Sequence, residues 1–229
     1  MIRPLKSLVP LVFLALVAGC GGGGSADNGV AKLSATQALA KVSEATKAVK
    51  SVHIAGTIDQ DGQKLALDVH AADKHGQGTL RINGGSLEVR LVAGTTYVRG
   101  SAETFTKLGA PAQQAQLLGD KWLKSGGSGG QFAAFSQFLD TSTLFDSLLK
   151  PQGSIKTGRT TTINGQQVFE LVDESSGAGS LFISRTGKPL PVRIVKQGTG
   201  GGQVDFTDYD EDVNVTVPSG AVDLSQLGS

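Results

Sequence analysis

The stretch SATQALAKVSEATKAVKSVHIAGTIDQDGQKLALDV, residues 34–69, changes its hydrophobic period partway along, and that change sets the fold class. Ser34 and Gln37 have the spacing of a capping box, in which hydroxyl and amide satisfy backbone N–H groups that a helix start leaves free. Leu39, Val42, Thr46 and Val49 then recur at helical intervals, which predicts a helix over 34–50 with one apolar stripe and lysines elsewhere. After Ser51 the period falls to two. Val52, Ile54 and Ile58 alternate with polar or small residues, Asp61-Gly62 marks a turn, and Leu65, Leu67 and Val69 alternate again. A helix running directly into half-buried antiparallel strands is the start of an α+β domain.

The pattern continues outward from there. Leu80 and Ile82 precede the turn Asn83-Gly84-Gly85, Leu87, Val89 and Leu91 form the next strand, and 96–99 another. An irregular excursion over 105–118 has a short helix at 112–118, and Lys121-Trp122-Leu123-Lys124 reads as a short strand. Residues 125–130 are a glycine-serine linker. QFAAFSQFLDTSTLFDSLLK, 131–150, is helical and apolar, broken near Asp140, whose carboxylate can cap the second piece, and stopped by Pro151. Strands resume at 160–163 and 166–172 around Asn164-Gly165, a two-residue hairpin signal, and continue at 180–185, 191–196 and 203–209. Val213, Val215 and Val217 close the pattern as a last strand. The sum is about ten or eleven strands in two blocks. They are read as one curved antiparallel sheet with helices packed on one side. Two domains joined at 125–130 is the other layout.

Four of the nine phenylalanines, Phe132, Phe135, Phe138 and Phe145, fall in the apolar helical segment together with Leu139, Leu144, Leu148 and Leu149. Such a helix is apolar on more than one face, so it is buried on more than one side or lines something apolar. The residues alone leave both readings open: a core packed against the sheet, or the wall of a cavity.

The N-terminus has its own character. Arg3 and Lys6 precede an apolar run over 8–18 that suits a secretory signal and is short for a membrane span. Val17-Ala18-Gly19-Cys20 resembles the bacterial lipobox, whose cysteine is acylated and becomes the new N-terminus. Cys20 is the only cysteine of the 229 residues, so the chain forms no internal disulfide. The alternative is an ordinary signal peptide that leaves Cys20 as a stray thiol. The organisation expected is a signal peptide over 1–19, a lipidated Cys20 with a flexible tether over 20–33, and one domain over 34–229. Loss of Arg3 and Lys6 takes the formal charge of +1 to about −1, which gives no electrostatic support for nucleic-acid binding.

Taken in order, several segments resemble the LppX/LprG-type lipoproteins of actinobacterial cell envelopes. They are the lipobox at Cys20, the helix leading into SVHIAGTI, TTYVRG before DKWLK, and FAAFSQFLDTSTLFDSLLK. GRTTTINGQQVFEL and the closing VDFTDYDEDVNVTVPSGA complete the set. The resemblance implies a half-barrel sheet wrapped around helices on its concave face, with an apolar cavity between them for the acyl chains of envelope lipids. A similar half-barrel occurs in periplasmic lipoprotein carriers. On this basis Phe132, Phe135, Phe138, Leu139, Leu144, Phe145 and Leu148 are the candidate cavity lining, and Cys20 is the lipid attachment site. The implied function is a monomeric lipoprotein anchored to the outer face of the cytoplasmic membrane. It binds an acyl lipid or glycolipid and carries it across the envelope, with an export partner. The segment 101–119 departs from the family pattern by its length.

No motif calls for catalysis or a cofactor. His53, His70 and His75 have no cysteine or carboxylate at metal-ligand spacing, and are read as exposed strand or turn residues. The acidic run 208–212 lacks the glycine turn and distal glutamate of an EF-hand loop, and is read as a solvated strand end. There is no Gly-x-Ser-x-Gly elbow, and the glycines over 198–202 lack the lysine and helix of a phosphate loop. The other function to weigh is a non-catalytic envelope interaction or sensor lipoprotein of the same fold with a solid core and no lipid cargo. A large apolar patch on the outer sheet face would mark it.

Overall fold

The computed structural model describes residues 26–60, 62–125, 132–175, 179–198 and 201–226. The signal segment, Cys20, Asp61 and the linker glycines over 126–130 lie outside the described residues.

The first helix, α1, spans Ala35–Thr46 and starts on the expected capping box. Ser34 Oγ accepts from the Gln37 N–H at 3.4 Å, and Gln37 Oε1 accepts from the Ser34 N–H at 3.1 Å. Ala35, Ala38, Val42 and Thr46 are its buried stripe, with Leu39 half-buried. It ends short of residue 50 because the chain tightens into three-residue hydrogen bonds, Ala48 to Ala45 and Val49 to Thr46, that deliver buried Val49 to the sheet.

Five strands then run as a meander: β1 Ser51–Gln60, β2 Gln63–Ala72, β3 His75–Ile82, β4 Gly85–Val92 and β5 Thr95–Gly100. Asn83-Gly84 turns the chain with both residues left-handed, φ 51° and 74°, the conformation whose twist matches a two-residue hairpin. The excursion is more regular than its sequence suggests. A helix α2, Ala102–Lys107, is capped by Ser101 Oγ on the Thr104 N–H at 3.1 Å, and α3 occupies Ala112–Leu118. Then come β6, Leu123–Lys124, a 3₁₀ segment Ala133–Phe138, and α4, Thr141–Leu148. Asp140 caps α4 as expected, accepting from the Ser142 N–H at 3.0 Å. The second block is β7 Ile155–Ile163, β8 Gln166–Asp173, β9 Gly179–Ser184, β10 Pro191–Lys196 and β11 Gly202–Thr207. A two-residue β12, Val222–Asp223, is the last strand.

Among the described residues, the twelve strands form one curled sheet in the order β12-β6-β5-β4-β3-β2-β1-β11-β10-β9-β8-β7. Pairing is antiparallel throughout except β12 against β6. The two blocks join where β11 pairs with β1, in a register that sets Ile54 opposite Phe206, both buried.

The strand expected at Val213–Val217 does not form. Both sides of β11 are already taken, by β1 and β10. Asp208 and Asp210, both left-handed at φ 49° and 64°, turn the chain away, and the Tyr209 hydroxyl fastens the turn by donating to Pro191 O at 2.8 Å. The chain then reaches the far edge, passing Arg90, which donates to Thr216 O at 3.3 Å, and finds its partner only as β12 on β6.

One face of the sheet carries most of the core; on the other face Ile163, Val168, Phe182 and Val192 form a smaller buried cluster over the second strand block. Over β1–β6 and β11, inward Val52, Ile54, Val69, Leu80, Val89 and Leu91 pack against Leu139, Leu144 and Phe145 of the helical layer. Gly76 makes that close approach possible: a Cβ there would sit 2.6 Å from Leu139 O and 2.9 Å from Leu139 Cβ. Over β8 and β9, Phe169, Leu171 and Ile183 pack against the α1 stripe and Val30. So α1 covers the second block, and the 3₁₀ segment with α4 covers the first.

Candidate functional site

Between those two packed regions the inner face is left open. A cavity of about 610 Å³ lies where the end of α4 meets α1 and strands β7–β10, within the usual size range of ligand sites. The helical side contributes Leu39 from α1 and Leu148 and Leu149 from the end of α4. The sheet contributes Ile155, Leu171, Leu181 and Ile194, one from each of four neighbouring strands. The strand alternation puts them there: Ile194 is opposite Leu181 and Leu181 opposite Leu171, so all three project inward together.

The mouth is polar and sits at one end of these strands. Ile155 is opposite Asp173, Val172 opposite Ser180, and Lys196 opposite Gly179, which brings the strand termini level with the loop Lys150-Pro151-Gln152. Pro151 is exposed there, just past α4. Asp173 ties the rim together, accepting from the N–H groups of Gln152 at 2.9 Å and Ser175 at 2.8 Å. The Ser175 hydroxyl and these N–H groups hold its carboxyl below the usual range. The Ser180 hydroxyl donates to Glu170 at 2.6 Å, binding β9 to β8 beside the opening. The site is thus a half-open pocket with aliphatic side chains on its inner wall and a polar, hydrogen-bonded rim of comparable extent, able to take an apolar chain and leave a polar end in water.

Of the seven residues proposed from sequence, Leu148 stands on the cavity wall. Phe132, Leu139, Leu144 and Phe145 lie in the core, and Phe135 and Phe138 are half-buried against it. The 3₁₀ segment explains this: at three residues per turn, positions 132, 135 and 138 form one row, and Phe132 and Phe135 stack at 6.0 Å. Phe145 packs on Phe206 of β11 at 6.4 Å. Cys20 is outside the described residues. The sheet side of the wall, Ile155, Leu171, Leu181 and Ile194, is missing from the sequence reading. Its signal was present in the inward parity of the second strand block, but aliphatic alternation looks the same over a filled core and over a cavity.

The histidines have structural surroundings. His53 and His70, opposite each other on β1 and β2, stack at 4.3 Å on the outer face. His53 faces Asp68 at 2.8 Å and the Thr207 hydroxyl at 3.1 Å. His75 contacts Asp73 O at 2.9 Å in the following turn. Among the described residues no group of three or more His, Cys, Asp or Glu converges to hold a metal ion. The acidic run is more structured than a solvated strand end: Asp210 accepts from the Lys50 N–H and Lys188 Nζ, both at 2.9 Å. Among the described residues, no helix is long and apolar enough to cross a membrane.

No family model matches the sequence, and no curated protein matches it. Solved structures do. LprF from Mycobacterium bovis superposes with a TM-score of 0.57 at 14% identity, over 86% of this chain and 100% of its own. The lipoprotein LppX from Mycobacterium tuberculosis superposes with a TM-score of 0.52 at 16% identity, over 83% of this chain and 100% of its own. At such identity the likeness is one of fold: the chain has the LppX/LprG-type half-barrel.

Proposed function

We propose that this protein is a non-catalytic lipoprotein that binds the acyl chains of a lipid or glycolipid in the cavity beneath α4 and carries them across the cell envelope. Cys20 is its acylation site and the outer face of the cytoplasmic membrane its place. Two chains on a diacylglyceryl cysteine hold firmly, whereas one holds marginally. It acts as a monomer, passing cargo to an export or acceptor partner. The candidate lining Phe132, Phe135, Phe138, Leu139, Leu144 and Phe145 forms the layer behind Leu148, on which the wall rests.

The observation that carries this reading is the cavity itself, walled by aliphatic side chains and open at a polar rim. Drawing a sixteen-carbon chain from a bilayer into water costs roughly 13 kcal/mol, and an apolar pocket offsets most of it with no catalytic group. The sensor reading calls for a large outer apolar patch. The large hydrophobics exposed among the described residues are Leu117 and Val217, on separate parts of the chain.

Leu181→Trp tests the proposal by filling the cavity from the sheet side. Titration with a fluorescent sixteen-carbon acyl probe should show at least about tenfold weaker binding, 1.4 kcal/mol, with the thermal midpoint held. Undiminished binding by the filled variant would remove the cavity as the lipid site.

A further inference from the structure

We infer that the cavity selects acyl lipids whose head group is anionic, through Lys150 and Lys196 at its mouth; this rests on the cavity being the acyl site. Both lysines belong to the lining, one from the helical side and one from the sheet. Lys150 stands just past α4, and Lys196 ends β10, opposite Gly179 of β9. Both are exposed, and among the described residues neither ammonium has a hydrogen-bond or ion-pair partner. The carboxylates next to the opening, on and just after β8, are already engaged. Asp173, the single acid of the lining, accepts from the Gln152 and Ser175 N–H groups and from the Ser175 hydroxyl. Glu174 pairs with Lys156 at 2.8 Å, and Glu170 accepts from the Ser180 hydroxyl at 2.6 Å and the Arg159 N–H at 3.2 Å. Asp146 stands one turn before Lys150 on α4, outside the lining, and does not pair with it. The segments 176–178 and 199–200, which join these strands in sequence, contain no charged residue. The lining therefore keeps two free cations against one engaged anion, a net formal charge of +1.

A single unpaired lysine on a surface is ordinary. Two at the opening of an aliphatic cavity acquire a role once a chain lies inside. The bound chain holds its head group at the mouth, so the lysines meet that group at high effective concentration. Each ammonium is a point charge on a flexible four-carbon stem, able to follow phosphate or carboxylate oxygens without a fixed geometry. Beside an apolar wall the charges are screened less than in open water, which strengthens the attraction. A cationic head group would meet like charge from both lysines, and a neutral one would gain nothing from either. The aliphatic wall is indifferent to head-group charge, so the cavity selects the chain and the lysines select what it carries. Two ion pairs of the ordinary exposed kind together amount to about fivefold in affinity.

The test uses the full-length protein and displacement of the fluorescent acyl probe by two dispersed lipids that share a palmitoyl chain and a phosphodiester. Palmitoyl lysophosphatidylglycerol carries a net negative charge, and palmitoyl lysophosphatidylcholine carries none. The first should bind about fivefold more tightly. Lys150→Gln with Lys196→Gln removes the charges at two exposed positions and should bring the two lipids within about twofold of each other, the probe's own affinity being measured for each variant. Added salt should narrow the gap in the same way. Equal binding of the two lipids by the unaltered protein overturns the inference, even where the probe transfers faster from anionic vesicles, because the lysines would then meet a membrane surface and not a bound head group. A preference that survives in the double variant also overturns it. Millimolar inorganic phosphate at constant ionic strength should leave the preference intact; its loss would make the lysines a site for free phosphate and overturn the head-group assignment. Equal affinities leave the cavity standing as the acyl site, whereas a protein that binds neither lipid removes that reading and this inference with it.

Discussion

At the residue scale, the carboxylates set the acid limit of the fold. Asp223 accepts from the Ser225 hydroxyl and N–H and from Lys124 Nζ at 3.0 Å, which holds its carboxyl down at about 2. Asp27, Asp173, Asp210, Glu103 and Glu174 are also held below their usual range by N–H, hydroxyl and lysine or arginine partners. A folded-state pKa below the unfolded one means that the stabilisation is complete above the unfolded value, near 4. It is lost as the pH falls through the folded values. Thermal midpoints should therefore stay level down to about pH 5 and fall between about pH 4 and pH 2. Trp122, with the Arg90 and Arg99 guanidinia 4.7 and 4.9 Å from its ring centre, is the single tryptophan and reports the transition by fluorescence. Gly76→Val should cost about 1–3 kcal/mol in urea unfolding, because the added side chain meets the Leu139 backbone. The importance of Gly76 was not legible in sequence: a glycine in a strand signals close approach, but not what approaches.

At the element scale, local signals served where local chemistry decides. The α1 capping box, the Asp140 cap and the Asn-Gly turns were read correctly because each is set by residues within a few positions. Helix α2 was missed although Ser101 and Thr104 carry a cap, since its six residues are too few to show a period. The valines at 213, 215 and 217 alternate as a strand does, yet a strand needs a free edge, and β11 has none. Asp140→Ala should destabilise the protein by about 1 kcal/mol and weaken acyl-probe binding, because α4 carries Leu148 and Leu149 to the cavity wall. Asp140→Asn keeps an accepting oxygen and should retain most of both, as chemical unfolding and probe titration will show.

At the scale of the whole molecule, the α+β class and the single sheet were legible, because two blocks of alternating strands with helices between them admit few other arrangements. The division of the inner face was not. Where the face is filled and where it is left open depends on long-range placement: the phenylalanine row packs over the first block, α1 covers β8 and β9, and the cavity lies at the seam between them. That division separates stability from binding. Phe145→Ala should cost about 3–5 kcal/mol of stability, measured by denaturant unfolding. Acyl-probe affinity of the fraction that remains folded should change by less than about threefold, 0.7 kcal/mol. Leu181→Trp should show the opposite pattern.

The most direct measurement is native mass spectrometry of the full-length protein, produced in a host that acylates Cys20 and released from detergent, with organic extraction to separate bound lipid from the covalent anchor. The account expects one equivalent of a non-covalent acyl lipid in the folded protein. A protein that carries none, and takes up none after incubation with acyl lipids from an envelope extract, would contradict the account.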